Sequence, residues 1–357
     1  MNKSPKFLYL FLAAGLMLST AGAQSVTTDP VGFVTLTIGA GNGSGGRTLT
    51  PLSIPLLANS VVSGQVAGVI TSVTSSSITN SNAGWTAGQL SAVATPQLIK
   101  ITSGVAKGRT LLISTDSNSQ NTANTVFIDP ADLAGADIAA LQIAAGDTYQ
   151  IFACDTLAIL FGDPGSTGIV GGSSLNTSDN VIVAVNGQLS TYYYATTGLN
   201  SPGWVQASFG NPASGNTPIR PDSGVNFSRV GSADIVLTIL GSVPSTNRLI
   251  PIKDAGVTYL AQGWPVDVLL SGLSGLNLQN SPNWTSNSSP NSADTVTVKT
   301  SNGLQTFFYD GANWREQSFG NPVSNNVVIP AGSMILINQR GIASGTSLLN
   351  QTIPYTL

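Results

Sequence analysis

The sequence contains no histidine, one cysteine and one glutamate among 357 residues, and charged residues make up only 8% of it. Each scarcity removes a class of chemistry. Without histidine there is no ordinary general base near neutral pH, no usual activator for a serine or cysteine nucleophile, and no imidazole ligand for a transition metal. With Cys154 alone, no intramolecular disulfide can form, so the fold rests on an apolar core. Cys154 lies in an apolar run and reads as an inert core thiol. The 13 Lys and Arg residues form no cluster that would neutralise phosphates, so nucleic acid is not an expected partner. After residue 18 no apolar run approaches the ~20 residues that a membrane-crossing helix needs.

At the N-terminus Lys3 and Lys6 precede an apolar run from Phe7 to Leu18 and the small residues Ala21-Gly22-Ala23. This is the pattern of a secretory signal peptide over residues 1–23, cleaved before Gln24. The expected location is extracellular or at the cell surface, with the periplasm open as well. Removing the segment leaves 11 basic against 16 acidic residues, a net charge of −5. The remaining surface is built of Gly, Ser, Thr and Asn, and an apolar content of 41% with regular alternation argues against disorder.

Strand signals dominate, as in Phe33-Val-Thr-Leu-Thr-Ile38, Ile235-Val-Leu-Thr-Ile239 and Thr295-Val-Thr-Val298. One short helix is expected, from about Pro130 to Leu141 and capped by Asp129. Trp204 to Gly231 aligns without a gap to Trp314 to Gly341, with 11 of 28 positions identical, including Ser-Phe-Gly-Asn-Pro in both. Unrelated sequence of this composition would match at roughly 1 position in 15. Upstream, the turns Asn186-Gly187 and Asn302-Gly303 each separate two strand-like runs. Further back, Phe33 to Ile38 with Arg47 resembles Ile235 to Ile239 with Arg248.

The expected fold is therefore all-β, with two duplicated β-sandwich or barrel-like units and a small β-barrel inserted in the first. The boundaries that follow are residues 24–63 and 154–231 for the first unit, 64–153 for the inserted barrel and 232–357 for the second unit. Six short strand runs between Val66 and Phe152 suit a self-closing barrel.

Several segments in order carry a resemblance: Pro30-Val-Gly-Phe-Val34, Ile101-Thr-Ser-Gly104 leading to Gly108-Arg109, Gly146-Asp-Thr-Tyr149 and the Ser-Phe-Gly-Asn-Pro repeats. Over nearly the whole mature chain they resemble an uncharacterised family of signal-peptide-bearing secreted bacterial β-rich proteins. The resemblance implies export and a β-rich fold. The family has no assigned activity, so no catalytic residues carry over. Residues 64–153 alone also resemble small barrel modules of phage and cell-surface proteins.

No motif carries catalysis. Gly41-x-Gly43-x-x-Gly46 follows a strand as a dinucleotide loop would, but Pro51 and Pro55 forbid the helix that would hold a pyrophosphate, and no acidic residue follows before Asp116. Asp116-Ser-Asn-Ser-Gln120 begins like a calcium loop, yet Phe127 stands where a bidentate glutamate would close it. No catalytic residue, metal ligand or cofactor site is expected. The remaining functional hint is aromatic, because every tryptophan follows Gly or Asn and so sits in a turn. Trp85, Trp264, Trp284, Tyr192 and Tyr193 are the candidate contacts for a ligand or partner. Trp204 and Trp314, with the Asn-Pro that follows, read as folding corners of the two copies. The function expected is that of a non-enzymatic structural or adhesion-type protein whose partner is itself, another surface protein or a glycan. The alternative is a carbohydrate-binding protein or a glycan-active enzyme working through Asp carboxylates.

Overall fold

The computed structural model describes residues 30–42, 46–59, 64–133, 135–185, 188–341 and 345–357. The expected signal peptide, Gly43 of the glycine-rich loop and the Asn186-Gly187 turn lie outside them. The described chain is all-β, as its alternation of β-branched residues requires.

Two antiparallel five-stranded sheets share one strand order. The first runs Thr48–Leu52, Val225–Arg229, Asn180–Val185, Gln188–Ala195, Gly203–Gln206, and the second runs Ala255–Ala261, Met334–Arg340, Thr295–Thr300, Gly303–Tyr309, Trp314–Glu316. Each is accompanied by a long two-stranded ribbon. Val31–Ile38 pairs with Ile235–Ser242 beside the first, and Arg248–Lys253 pairs with Thr346–Gln351 beside the second. Each also has a two-residue pair, Asp155–Thr156 with Pro218–Ile219 and Val268–Leu269 with Val328–Ile329. The inward faces fill separate cores, one around Ile38, Phe161, Trp204 and Phe227, the other around Ile252, Trp264, Phe307 and Trp314.

Ile235–Ser242, which sequence comparison sets at the head of the second unit, is hydrogen-bonded along its whole length to Val31–Ile38. By its pairing it closes the first assembly, and the counterpart of Val31–Ile38 is Arg248–Lys253. The likeness between Phe33–Ile38 and Ile235–Ile239 arises because both strands alternate on the same half-buried ribbon.

Strand pairing within residues 64–153 runs in a ring. Thr148–Ala153 pairs with Gln97–Ile101, which pairs with Thr110–Leu112, and an Ile113–Ile128 bridge leads on to Thr125–Phe127. Ser77–Thr79 and Ser72–Val73 follow, and the chain itself, through Ile70 and Thr71, carries the ring on to Ala67–Val69, which pairs with Thr148–Ala153. Its core, including Ile78, Leu90, Ile99, Val126 and Tyr149, is drawn from residues of this segment alone.

The helix expected over 130–141 is only Pro130–Leu133. Asp129 does accept the Ala131 amide at 2.9 Å, but Gly135, at φ 81°, turns the chain out of the helix. Two further short helices follow residues 64–153: Leu157–Phe161, capped by Thr156, and Pro164–Thr167, capped by Asp163.

The two assemblies meet through contacts whose roles are exchanged. Ser53 N donates to Gly332 O at 2.7 Å, and Ala261 N donates to Asp222 O at 3.1 Å. Position 224 and its aligned position 334 face each other across this seam. Gly224 leaves the space that the Met334 side chain fills, since a Cβ there would lie 1.9 Å from Met334 Cγ.

A buried aspartate precedes the central strand of each sheet. Asp179 accepts the amides of Val230 and Val170 at 2.8 and 2.7 Å and pairs with Arg229, while Asp294 accepts those of Arg340 and Thr285 at 2.7 and 2.8 Å. Both side chains are essentially sealed from solvent. Asp179→Ala strands an arginine as well as two amides and is expected to cost about 3–5 kcal/mol. Asp294→Ala strands amides alone and is expected to cost about 1–3 kcal/mol. Urea unfolding measures both, and equal losses would show that Arg229 is not held by Asp179.

Candidate interaction surface

The aromatic residues singled out from the sequence face inward. Trp85, Trp264, Tyr192 and Tyr193 are buried, and Trp284 is half-buried against Trp314 with ring centroids 5.8 Å apart. Trp85 donates its indole N–H to Gln65 O at 2.9 Å, and Trp264 lies under the Arg248 guanidinium at 5.8 Å. Trp85, Trp264, Tyr192 and Tyr193 pack into cores, and of the five expected contact residues Trp284 alone keeps part of its ring open to solvent. Before Trp85, Trp264 and Trp284 a residue of positive φ supplies the turn, and the ring folds back beneath it.

The ionisable groups cluster where the three strand systems meet. Arg220 of the first assembly holds Asp132 of the inserted segment through two bonds of 2.6 and 2.9 Å and reaches Asp222 at 3.4 Å. Arg248 of the second assembly donates to Pro221 O at 2.5 Å. Burial lowers the pKa of Arg109, and of Arg248 to about 10, and it raises that of Asp132 against the pull of Arg220. The adjoining cavity has about 10 Å³, so it admits no substrate, and the cluster serves as a joint. Burial also pushes the nearby Cys154 thiol up to about 12, leaving no thiolate for chemistry. The Asp116 side chain closes its own turn on the Asn118 amide at 2.8 Å. Among the described residues no group of three or more acidic or cysteine side chains is placed to hold a metal.

What the fold does expose is phenylalanine. Phe209 and Phe319, the aligned residues of the two Ser-Phe-Gly-Asn-Pro segments, are as open to solvent as in an extended chain, each at 105%. Both loops have the same backbone. Asn211 N donates to Ser208 O and Asn321 N to Ser318 O, each at 3.0 Å, closing a four-residue turn with Phe second and Gly third. Gly210 and Gly320 have φ 79° and 80°, the positive value that the third position of a type II turn demands. The turn's second corner points outward, and phenylalanine occupies it.

Each loop is tied down at the same carbonyl by a different donor. Asn200 Nδ2 donates to Asn211 O at 2.8 Å, and Arg315 Nη1 donates to Asn321 O at 3.1 Å. Arg315 is oriented by Asp310, which also caps its own turn on the amides of Asn313 and Ala312 at 2.7 and 2.8 Å. Beside the Phe319 loop lies an open depression of about 380 Å³, lined by Asn302, Gln305, Glu316, Asn325 and Asn326 among others. Gln305 donates to Glu316 there at 2.9 Å.

These loops and the depression present apolar rings, amides and one carboxylate. No family model, curated protein or solved structure matches the chain. The geometry therefore stands without a relative to borrow from. Sequence reasoning took Ser-Phe-Gly-Asn-Pro as a folding corner and missed its Phe. The signal was there, in an aromatic followed by two turn formers and outside any alternating run.

The Asn313 amide, with Arg315 and the Ala312 amide, holds the Asp310 carboxyl at about 2. This is below its unfolded value of about 4. Its contribution is therefore complete above pH ~4 and is lost as pH falls through the folded value. Acid titration by NMR is expected to shift the amides of residues 318–321 with a midpoint near pH 2. The Phe209 loop, tied by the neutral Asn200, is expected to show no such step, and identical titration of both loops would refute the role given to Asp310.

Proposed function

We propose that this chain is an exported, non-enzymatic structural or adhesion-type protein. In this reading it descends from a duplicated β unit that took up a barrel in its first copy, and it is a member of the secreted bacterial family it resembles. The observation that carries the proposal is the pair of fully exposed phenylalanines on identical, braced turns. Exposing each ring forgoes about 1.5–3 kcal/mol that burial would return. Nothing inside the fold offsets that loss, so a contact with another surface accounts for keeping the residue in both copies. Matching strand orders and the exchanged seam contacts support the duplication. The absence of histidine supports the non-enzymatic reading.

A second reading, carbohydrate binding, is favoured by the amide-lined depression beside Phe319, whose donors and acceptors suit sugar hydroxyls. The two readings separate by substitution. Beads coated with the purified chain should adhere to envelopes of the exporting cell, and Phe209→Ser with Phe319→Ser should abolish adhesion while leaving the melting temperature unchanged. Adhesion that survives the double change but falls with Glu316→Ala and with added polysaccharide would favour the sugar reading. Adhesion indifferent to both sets would sink both.

A further inference from the structure

The two ribbons differ in how their outer edges are finished. In Arg248–Lys253 the residues that turn away from the partner strand are Leu249, Pro251 and Lys253. Leu249 N donates to Gly108 O of the inserted segment at 3.0 Å, Pro251 has no N–H, and Lys253 N donates to Thr258 Oγ1 at 3.0 Å. That edge is closed at every amide. Proline and lysine there are the usual means of blocking strand addition.

Val31–Ile38 is finished in none of these ways. Val243 N donates to Pro30 O at 2.7 Å, which sets the parity of the strand: Gly32, Val34, Leu36 and Ile38 face Ile235–Ser242, and Val31, Phe33, Thr35 and Thr37 turn outward. Among the described residues, no backbone partner meets the outward N–H and C=O groups of those four. The strand has no charge and no proline. Its exposed face mixes apolar side chains with threonines: Phe33 lies opposite Leu240, Thr35 opposite Thr238 and Thr37 opposite Val236, and Val31, Phe33, Val236 and Leu240 are all more than 60% exposed.

We propose that Val31–Ile38 pairs antiparallel with the same strand of a second copy, joining the two ribbons into one four-stranded sheet. A two-fold axis perpendicular to the sheet at Val34 sets Val31 opposite Thr37 and Phe33 opposite Thr35 of the other copy. This register satisfies every outward amide and carbonyl of both strands and keeps both exposed faces on one side. Self-pairing suits this strand because it carries no charge, so no like charges meet across the axis. A two-fold contact closes on itself and yields a dimer rather than a fibre. The pairing does not depend on the phenylalanine loops.

Sedimentation velocity of the purified full chain tests it. Wild type is expected to dimerise at tens of micromolar. Phe33→Lys with Thr35→Lys places lysine opposite lysine and should weaken the dimer by roughly tenfold or more, as should Phe33→Glu with Thr35→Glu. Both changes lie on exposed side chains, and thermal melting verifies that each variant folds. Mixing the two variants places lysine opposite glutamate and should restore association. A wild type that stays monomeric at about 100 µM would overturn the proposal. Variants that dimerise like wild type, or a mixture that stays monomeric, would do the same.

Discussion

A buried carboxylate at the start of each central strand is the constraint on which the rest of the structure hangs. Asp179 and Asp294 each bind an amide of the chain entering the sheet, Val170 or Thr285, and one of the chain leaving it, Val230 or Arg340. Such a clasp decides where the last sheet strand ends and in which direction the backbone departs. From Val230 the chain can then run into Ile235–Ser242, and from Arg340 into Thr346–Gln351, so each two-stranded ribbon is placed by an aspartate it never touches. A carboxylate does this better than an amide would, because it accepts several bonds at once and an acceptor stripped of water binds them more strongly. The cost of sealing the charge is met differently in the two assemblies. The first supplies Arg229, while the aligned position in the second is Gln339.

Few as the charges are, six of them are buried: Lys100, Arg109, Asp179, Arg229, Arg248 and Asp294. Arg220, Arg248 and Asp132 come from three strand systems and meet in one joint, with Leu249 N on Gly108 O adding a backbone tie. Buried ion pairs give little net stability but punish misplacement heavily, so they fix relative position. The seam between the two assemblies works by shape. A position facing its aligned counterpart across a near two-fold relation cannot carry a large side chain on both sides, and the Gly224 and Met334 pair resolves that conflict by making the two sides unequal.

Much of this was legible in the sequence, and the failures share a cause. Alternation found Phe33–Ile38, Ile235–Ile239 and Thr295–Val298, all of them strands, and the short strand runs expected between Val66 and Phe152 are strands as well. These are local properties, and a strand's period of two survives whatever it packs against. What the sequence did not disclose was partnership. Ile235–Ser242 reads as a fresh start because it resembles Val31–Ile38, and only long-range pairing reveals them as neighbours. The helix at Leu157–Phe161 hid for a related reason, since a short apolar run fits strand or helix and only the Thr156 cap decides. Trp85, Trp264 and Trp284 do follow a residue of positive φ, a turn that leaves the ring free to point either way, whereas Trp204 and Trp314 lie in strands.

That distinction bears on what the matched segments mean. Trp204 and Trp314 recur because each core needs them: both are sealed in, and their loss would leave a cavity in equivalent places. Phe209 and Phe319 recur in the same nine residues without that reason, since their rings touch solvent and any residue that tolerates the second corner of a type II turn would fold as well. Asn200 and Arg315 sharpen the contrast. The two loops are braced differently, by a neutral amide in one and an ionic pair in the other, yet both are held at the same carbonyl and display the same ring. Where the support varies and the displayed group does not, the displayed group is the more constrained of the two. On the proposed reading, what constrains so exposed a ring is a contact with another surface.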